Sequence, residues 1–471
     1  MSDNKFAEYK NFIRKALSVG QSFDMVERNI LIGEKDAYLY FVDGFIQGNV
    51  LERLLSEILK ITPREMDKCT SAMDFIKTNL NYAQVKTETK SDNMIKAVLS
   101  GLSVMIIDGY SEALVMDLRS YPVRSVEEPE KEKSLRGPKD GFVETLLFNT
   151  AMIRRRIRDQ NLVFEMYSVG TISKTDVSIC YIKGVTDDKI LEKIVGKVNS
   201  IEIDTLTVGD QSLVEAIGKS QWLNPFPKVR YTQRPDVISA HLTEGKIAIL
   251  IDNSPTAIML PTSIFDFLQD TDDYYFPLLT GNYFRFLRVL NMIAVIFLTP
   301  VYLLIAEDYI HVPKFLEFFM PDEGYAIPLF WQFLLLEFAI DALKLASLNT
   351  PSSLGMSLSV IGALILGEFA VQSGWFIPQT ILCMAVLALA SFTQPSIELG
   401  YAIKFMRILL LIGAILYGVW GAIFALLLNM VILISTKNIV GTPYLYPLIP
   451  FKWDKLRRLL FRTRQQKYYK K

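Results

Sequence analysis

Apolar positions change their spacing near residue 285, and the elements they predict change with it. Before that point, short β-branched runs alternate with helical stripes. Ala37–Gly44 reads as a strand ending in glycine, and Val50–Ile58 as the helix after it. The same order returns at an offset of 140 residues, as Val177–Gly184 and then Ile190–Val198. Ala97–Gly101, Val104–Asp108 and Ala113–Met116 recur as Ala240–Gly245, Ile247–Asp252 and Ala257–Leu260. The repeated unit is strand, glycine turn, helix, a later helix, then a hairpin with Asp at its bend. This predicts two duplicated α/β subdomains, 1–125 and 126–265, the second carrying a joint helix over 140–159. The charged segment 126–133 between them cannot bury itself. Asp108 and Asp252 are expected as turn aspartates rather than a catalytic pair.

Beyond a linker over 266–288, apolar residues run in six segments: 289–306, 328–347, 354–373, 376–393, 405–419 and 420–436. They predict a polytopic helical membrane domain over 289–436, followed by a basic cytoplasmic tail over 437–471. Alternating the segments in and out puts Arg285, Arg288, Lys344, Lys404, Arg407 and Lys437 all on the cytoplasmic side, with both termini there as well. The last two segments are short for a span of ~20 residues, so between four and six crossings are expected.

Charge sharpens this division. Of the 100 charged side chains, 75 fall in residues 1–285 and 25 in residues 286–471. The first part carries 35 basic and 40 acidic groups, which excludes a nucleic-acid binder. No apolar core follows a basic start at the N-terminus, so no signal peptide is expected. Three cysteines without CxxC spacing predict neither a disulfide framework nor a zinc site. With two histidines and no nucleophile–base pair, we expect no enzyme, no cofactor and no metal.

Two constellations remain. At the joint, Asp140 is expected to cap the helix, with Glu144 in its first turn and Arg154, Arg155 and Arg156 in its last. Those arginines are either solvated or docked on anionic headgroups or a neighbouring subunit. In the apolar region, Glu337, Asp341 and Lys344 share one helix face, with Lys344 paired to Asp341. Such a seam is structural, or part of an ion path. In the segment 354–373, Gly355, Ser359, Ala363 and Gly367 form a small-residue packing stripe. Ser357, Ile361, Leu364 and Glu368 lie nearly opposite and are the expected pore-lining set.

Several separated blocks resemble the A-subunit family of spore germinant receptors, the GerA family. They are Ser22-Phe-Asp24 with Tyr40–Gly44, the joint block Arg136, Gly137, Pro138, Gly141 and Glu144 with Arg154–Arg156, Tyr231–Asp236, and Thr442–Pro450. Leu162–Met166, Ser173–Asp176 and Asn349–Ser352 look most like its stage V sporulation AF branch. Gln233 and Lys139-Asp140 stand where the family often has Glu and Arg-Glu. The resemblance implies a protein of the spore inner membrane, with a cytoplasmic two-lobed region and a multi-span domain. It also implies a homo-oligomer, a pentamer in the family, that conducts cations in germination. Partners would be membrane lipid and a small membrane protein or other germination subunits, with a receptor or scaffold subunit as the alternative.

Overall fold

The computed structural model describes residues 2–121, 135–218, 224–310, 320–321, 325–349 and 370–462. They fall into two units, residues 2–218 with Val229–Thr262, and residues 224–228 with 263–462. The two expected subdomains lie in one compact unit, and a short piece of the second one's sequence, 224–228, belongs to the other unit.

In the first unit, β1 (Met25–Ile32), β2 (Lys35–Val42), β3 (Val85–Glu88), β4 (Ser103–Ile107) and β5 (Ala113–Met116) form an antiparallel sheet ordered β1-β2-β4-β5-β3. A second sheet is made of β6 (Leu162–Val169), β7 (Thr175–Ile182), β8 (Arg230–Thr232), β9 (Ile247–Ile251) and β10 (Ala257–Leu260). Its order, β6-β7-β9-β10-β8, is the same. β2 and β7 stand 140 residues apart, as the sequence repeat has it, and β4 and β9 stand 144 apart.

The near-continuous apolar runs of β4 and β5 follow from burial on both faces. Leu39, Met105 and Leu114 pack on the helix Gly48–Ile58 through Leu54, Leu55 and Ile58. Their chain neighbours Tyr40, Val104 and Val115 face the other way, onto Ile13, Met94 and Val98. Period-two alternation sends successive residues into two separate cores.

The joint helix is Leu146–Arg156, shorter than 140–159. Asp140 does not cap it. The Asp252 carboxylate accepts a hydrogen bond from the Leu146 N–H at 3.1 Å, and Asp140 instead takes two bonds from Arg156 at 2.6 Å. The hairpin bend of the second lobe thus reaches a helix start that local spacing had paired with its own upstream Asp.

The second unit is helical. Its first long helix is Leu278–Ala306, which begins eleven residues before the apolar run at 289. The expected linker is therefore largely structured, with Ile264–Leu268 and Asp272–Tyr275 helical as well. Arg285 and Arg288 do not end the helix, because both are buried against Asp273. Leu329–Asn349 and Pro378–Phe392 follow, then Ile397–Ser435. This last helix bends at Tyr417 and Gly418, where Gly418 has φ 58° and ψ −137°. Its two arms run antiparallel and touch at Gly413 and Gly421. A Cβ on Gly421 would sit 2.0 Å from the Gly413 carbonyl oxygen. The two short segments predicted over 405–436 are thus arms of one hairpin, and the first arm starts earlier, at Ile397. Leu278–Ala306 and Ile397–Ser435 are long and apolar enough to cross a membrane.

Residues 437–462, expected to begin a tail, pack within this unit. Tyr444 is fully buried between Phe226 and Phe267, and the helix Trp453–Leu460 ends the described chain. Segment 354–373 lies outside the described residues up to 369. So, therefore, do Gly355, Ser357, Ser359, Ile361, Ala363, Leu364, Gly367 and Glu368.

Candidate functional site

The helical unit brings four charges together from two helices. Lys404 donates to Glu337 at 3.2 Å and also to Asp341, and Arg407 donates to Glu337. Arg407 is 1% exposed and Glu337 5%, and the second guanidinium nitrogen of Arg407 donates to the Val295 carbonyl at 3.0 Å. Two cations meet two carboxylates, so the cluster is neutral. Isolated charges among apolar helices would cost several kcal/mol each, and mutual pairing offsets that cost.

Lys344 is not part of the cluster. Its ammonium lies 5.4 Å from the Phe392 ring centroid and 6.0 Å from that of Tyr401, so the expected pair with Asp341 does not form. The i+3 spacing allowed that pair, but the bent helix supplies closer cations. From the sequence, Lys404 and Arg407 serve only as markers of membrane side. A usable signal was present: 337 and 341 share a helix face, 404 and 407 share another, and their charges balance. Nearby, buried Gln332 is satisfied at both ends. It accepts from Thr380 Oγ1 at 2.9 Å and from the Ile377 N–H at 3.1 Å, and donates to the Ile327 carbonyl at 2.8 Å.

The second constellation joins the two lobes. Arg154, fully buried, donates through Nε to Asp24 Oδ2 at 2.8 Å and through Nη2 to Asp24 Oδ1 at 3.1 Å. Its remaining donors reach the carbonyls of Leu162 and Asp159, and its guanidinium lies 4.9 Å from the Phe164 ring centroid. Ser22 donates to Asp24 at 2.6 Å and accepts from the Phe164 N–H at 3.0 Å. Neither a solvated arginine nor a headgroup contact describes Arg154. Arg155 lies over the Tyr121 ring at 4.7 Å, and Arg156 holds Asp140. Gly44, with φ 82°, lets the joint helix come so close that an added Cβ would lie 3.1 Å from that of Ala151.

Around this contact, Gln21 donates to Glu165 at 2.9 Å, and Tyr181 and Tyr167 donate to the same carboxylate at 2.6 and 2.7 Å. Burial pushes the Glu165 carboxyl up, but these donors and Lys183 outweigh it and hold it below the ordinary glutamate range. The remaining joint residues meet the 231–236 block. The Phe142 N–H donates to the Gln233 carbonyl at 2.7 Å, and Arg234 donates to the Pro138 carbonyl at 3.1 Å. Gly141 is buried there, while Arg136, Gly137 and Glu144 are exposed. Among the described residues, no group of three or more His, Cys, Asp or Glu is arranged to hold a metal.

A family model described as Bacillus/Clostridium GerA spore germination protein matches residues 11–471. Stage V sporulation protein AF of Bacillus subtilis (strain 168) is 35% identical over 457 residues, 97% of this chain and 92% of that one. Spore germination protein KA of the same organism is 29% identical over 460 residues, 96% of this chain and 84% of that one. The crystal structure of the N-terminal domain of the A subunit of the Bacillus megaterium spore germinant receptor GerK3 is also similar. It is 25% identical, with a TM-score of 0.41, over 54% of this chain and 94% of that one.

Proposed function

The chain belongs to the GerA family of spore germination proteins, and from that premise we propose that it is a non-enzymatic subunit of an oligomeric cation channel. It would act in the inner membrane of the spore during germination, with its α/β unit on the core side. One observation carries the membrane part of this reading: the helical unit is apolar outside and charged inside. Leu389, Phe392, Leu416, Trp420 and Phe424 are more than 60% exposed, while Glu337, Arg407, Gln332 and Asn429 are buried. That arrangement suits lipid as the surrounding solvent.

In this reading the Glu337–Asp341–Lys404–Arg407 cluster is a neutral strut between helices. Both of its carboxylates are engaged by cations from the other helix. The conduction path is assigned to Ser357, Ile361, Leu364 and Glu368 on their sequence pattern, with Gly355, Ser359, Ala363 and Gly367 against neighbouring helices. The alternative, a ligand cleft between the lobes, is disfavoured because Arg154, Asp24 and Ser22 fill that contact and are buried.

The test is conduction by the purified full chain in planar bilayers under a cation gradient. Single-channel currents are expected, and Glu368→Gln is expected to change cation preference while leaving assembly intact. Inserted protein that passes no current under any gradient would overturn the channel reading.

A further inference from the structure

The C-terminal end of the helical unit carries a surface unlike its lipid-like flanks. Leu448, Ile449, Phe451 and Trp453 are 41%, 42%, 64% and 55% exposed. Phe451 and Trp453 stack with ring centroids 6.2 Å apart. Lys452, Lys455 and Arg457 are exposed among them. Residues 452–471 hold nine Lys or Arg against a single acid, Asp454. The inward stripe of the helix Trp453–Leu460 is already used, since Leu456 is 6% exposed and Leu459 is half-buried. The patch is therefore a second face, aromatic and basic together.

Hydrogen bonds to the first long helix and the turn before it hold the chain just past this patch. The Arg462 N–H donates to Asn282 Oδ1 at 2.7 Å, and Asn282 Nδ2 donates back to the Arg462 carbonyl at 3.2 Å. Arg285 donates to the Leu459 carbonyl at 3.1 Å, and the Arg462 guanidinium donates to the carbonyls of Asp273 and Tyr274 at 2.7 Å. Asp273, fully buried, holds Arg285 and Arg288 in turn. The end of the C-terminal helix is thereby pinned beside residues 282–285, before the apolar run that begins at 289. At 1.5 Å per residue that is roughly 6–10 Å along the helix. A headgroup layer is of similar depth, about 5–8 Å on each side of the hydrocarbon.

We propose that residues 448–457 form a lipid-surface platform that sits in the headgroup layer and selects anionic headgroups. Phe451 and Trp453 would enter the acyl boundary, with Lys452, Lys455 and Arg457 on headgroup phosphates. The combination of apolar anchors with clustered bases is the chemistry that recognises such a surface. This inference rests on the membrane reading above, and the test separates the two.

The full chain is reconstituted in vesicles of phosphatidylcholine and phosphatidylglycerol in equal parts, with bromine on the acyl chains of one lipid or the other. Trp453 fluorescence is read as the difference between the parent and Trp453→Phe. Trp331, Trp375 and Trp420, exposed on the helical unit, report insertion independently. The expected result is stronger quenching of Trp453 by brominated phosphatidylglycerol than by brominated phosphatidylcholine. Lys452→Glu with Lys455→Glu should bring the two to parity without changing quenching of the other tryptophans, which also shows that the variant inserts. Trp453 unquenched by either lipid while the others are quenched would overturn the platform and leave the membrane reading standing. Equal quenching of parent Trp453 by both lipids would overturn the preference for anionic headgroups. No quenching of any tryptophan would overturn the membrane reading, and the platform with it.

Discussion

Arg154 shows how much one side chain can join. It reaches Ser22 and Asp24 on the approach to β1, Leu162 and Phe164 of β6, and the Asp159 carbonyl just past its own helix. Replacing it with Met leaves the Asp24 carboxylate buried without a cation, which costs about 3–5 kcal/mol. Denaturant unfolding of Arg154→Met should show that loss, and Arg154→Met with Asp24→Leu should recover part of it. Glu165 gives a pH signature instead. Its carboxyl lies below the ordinary glutamate value in the folded chain, so the native state binds fewer protons than the unfolded state. Its contribution is present above the unfolded value of about 4.3 and is lost as pH falls towards the lower folded value. Glu165→Gln should therefore be less stable than the parent at neutral pH, and the difference should shrink on acidification below that value. Melting temperatures across that range check it.

At the scale of an element, the hairpin Ile397–Ser435 depends on two glycines that let its arms meet backbone to backbone. A side chain at Gly421 has no space, because its Cβ would overlap the Gly413 carbonyl. Asn429 adds a hydrogen bond across the arms to the Met406 carbonyl at 3.1 Å. Gly421→Val should splay the arms and separate Lys404 and Arg407 from Glu337 and Asp341, whereas Gly400→Ala, with open space around it, should be tolerated. Engineered cysteine pairs across the arms, cross-linking in the parent and failing in Gly421→Val, would check this. The sequence marked the break between 419 and 420 by hydrophobicity alone, two residues from the observed turn. Alternating crossings already implied that these segments reverse direction, but not that Gly413 and Gly421 bring their backbones into contact.

For the whole molecule, the lobe contact is the feature with the largest consequence. The joint helix contributes Ala151 to the core of the first lobe and Leu146, Met152 and Ile153 to that of the second. With Arg154 paired across the same contact, the lobes should open together. Hydrogen exchange on the full chain should give amides of β2, β4, β7 and β9 a common opening free energy, and Arg154→Met should separate them into two classes. Exchange at distinct rates in the parent lobes would show that the contact does not couple them.

Legibility followed the range of the interactions. The strand runs, the repeat near 140 residues and the rise in apolar content near residue 285 are periodic or compositional. They arise from burial of each residue against its neighbours, and so could be read from the chain alone. Helix ends and ion pairs could not. Asp252 displaced Asp140 at the joint helix from 106 residues away, Lys404 displaced Lys344 beside Asp341, and Asp24 took Arg154 out of solvent. In each case several partners satisfied the same local spacing. A buried charge or an open helix end takes whichever partner packing brings within about 3 Å, and that distance is set only when the chain is folded.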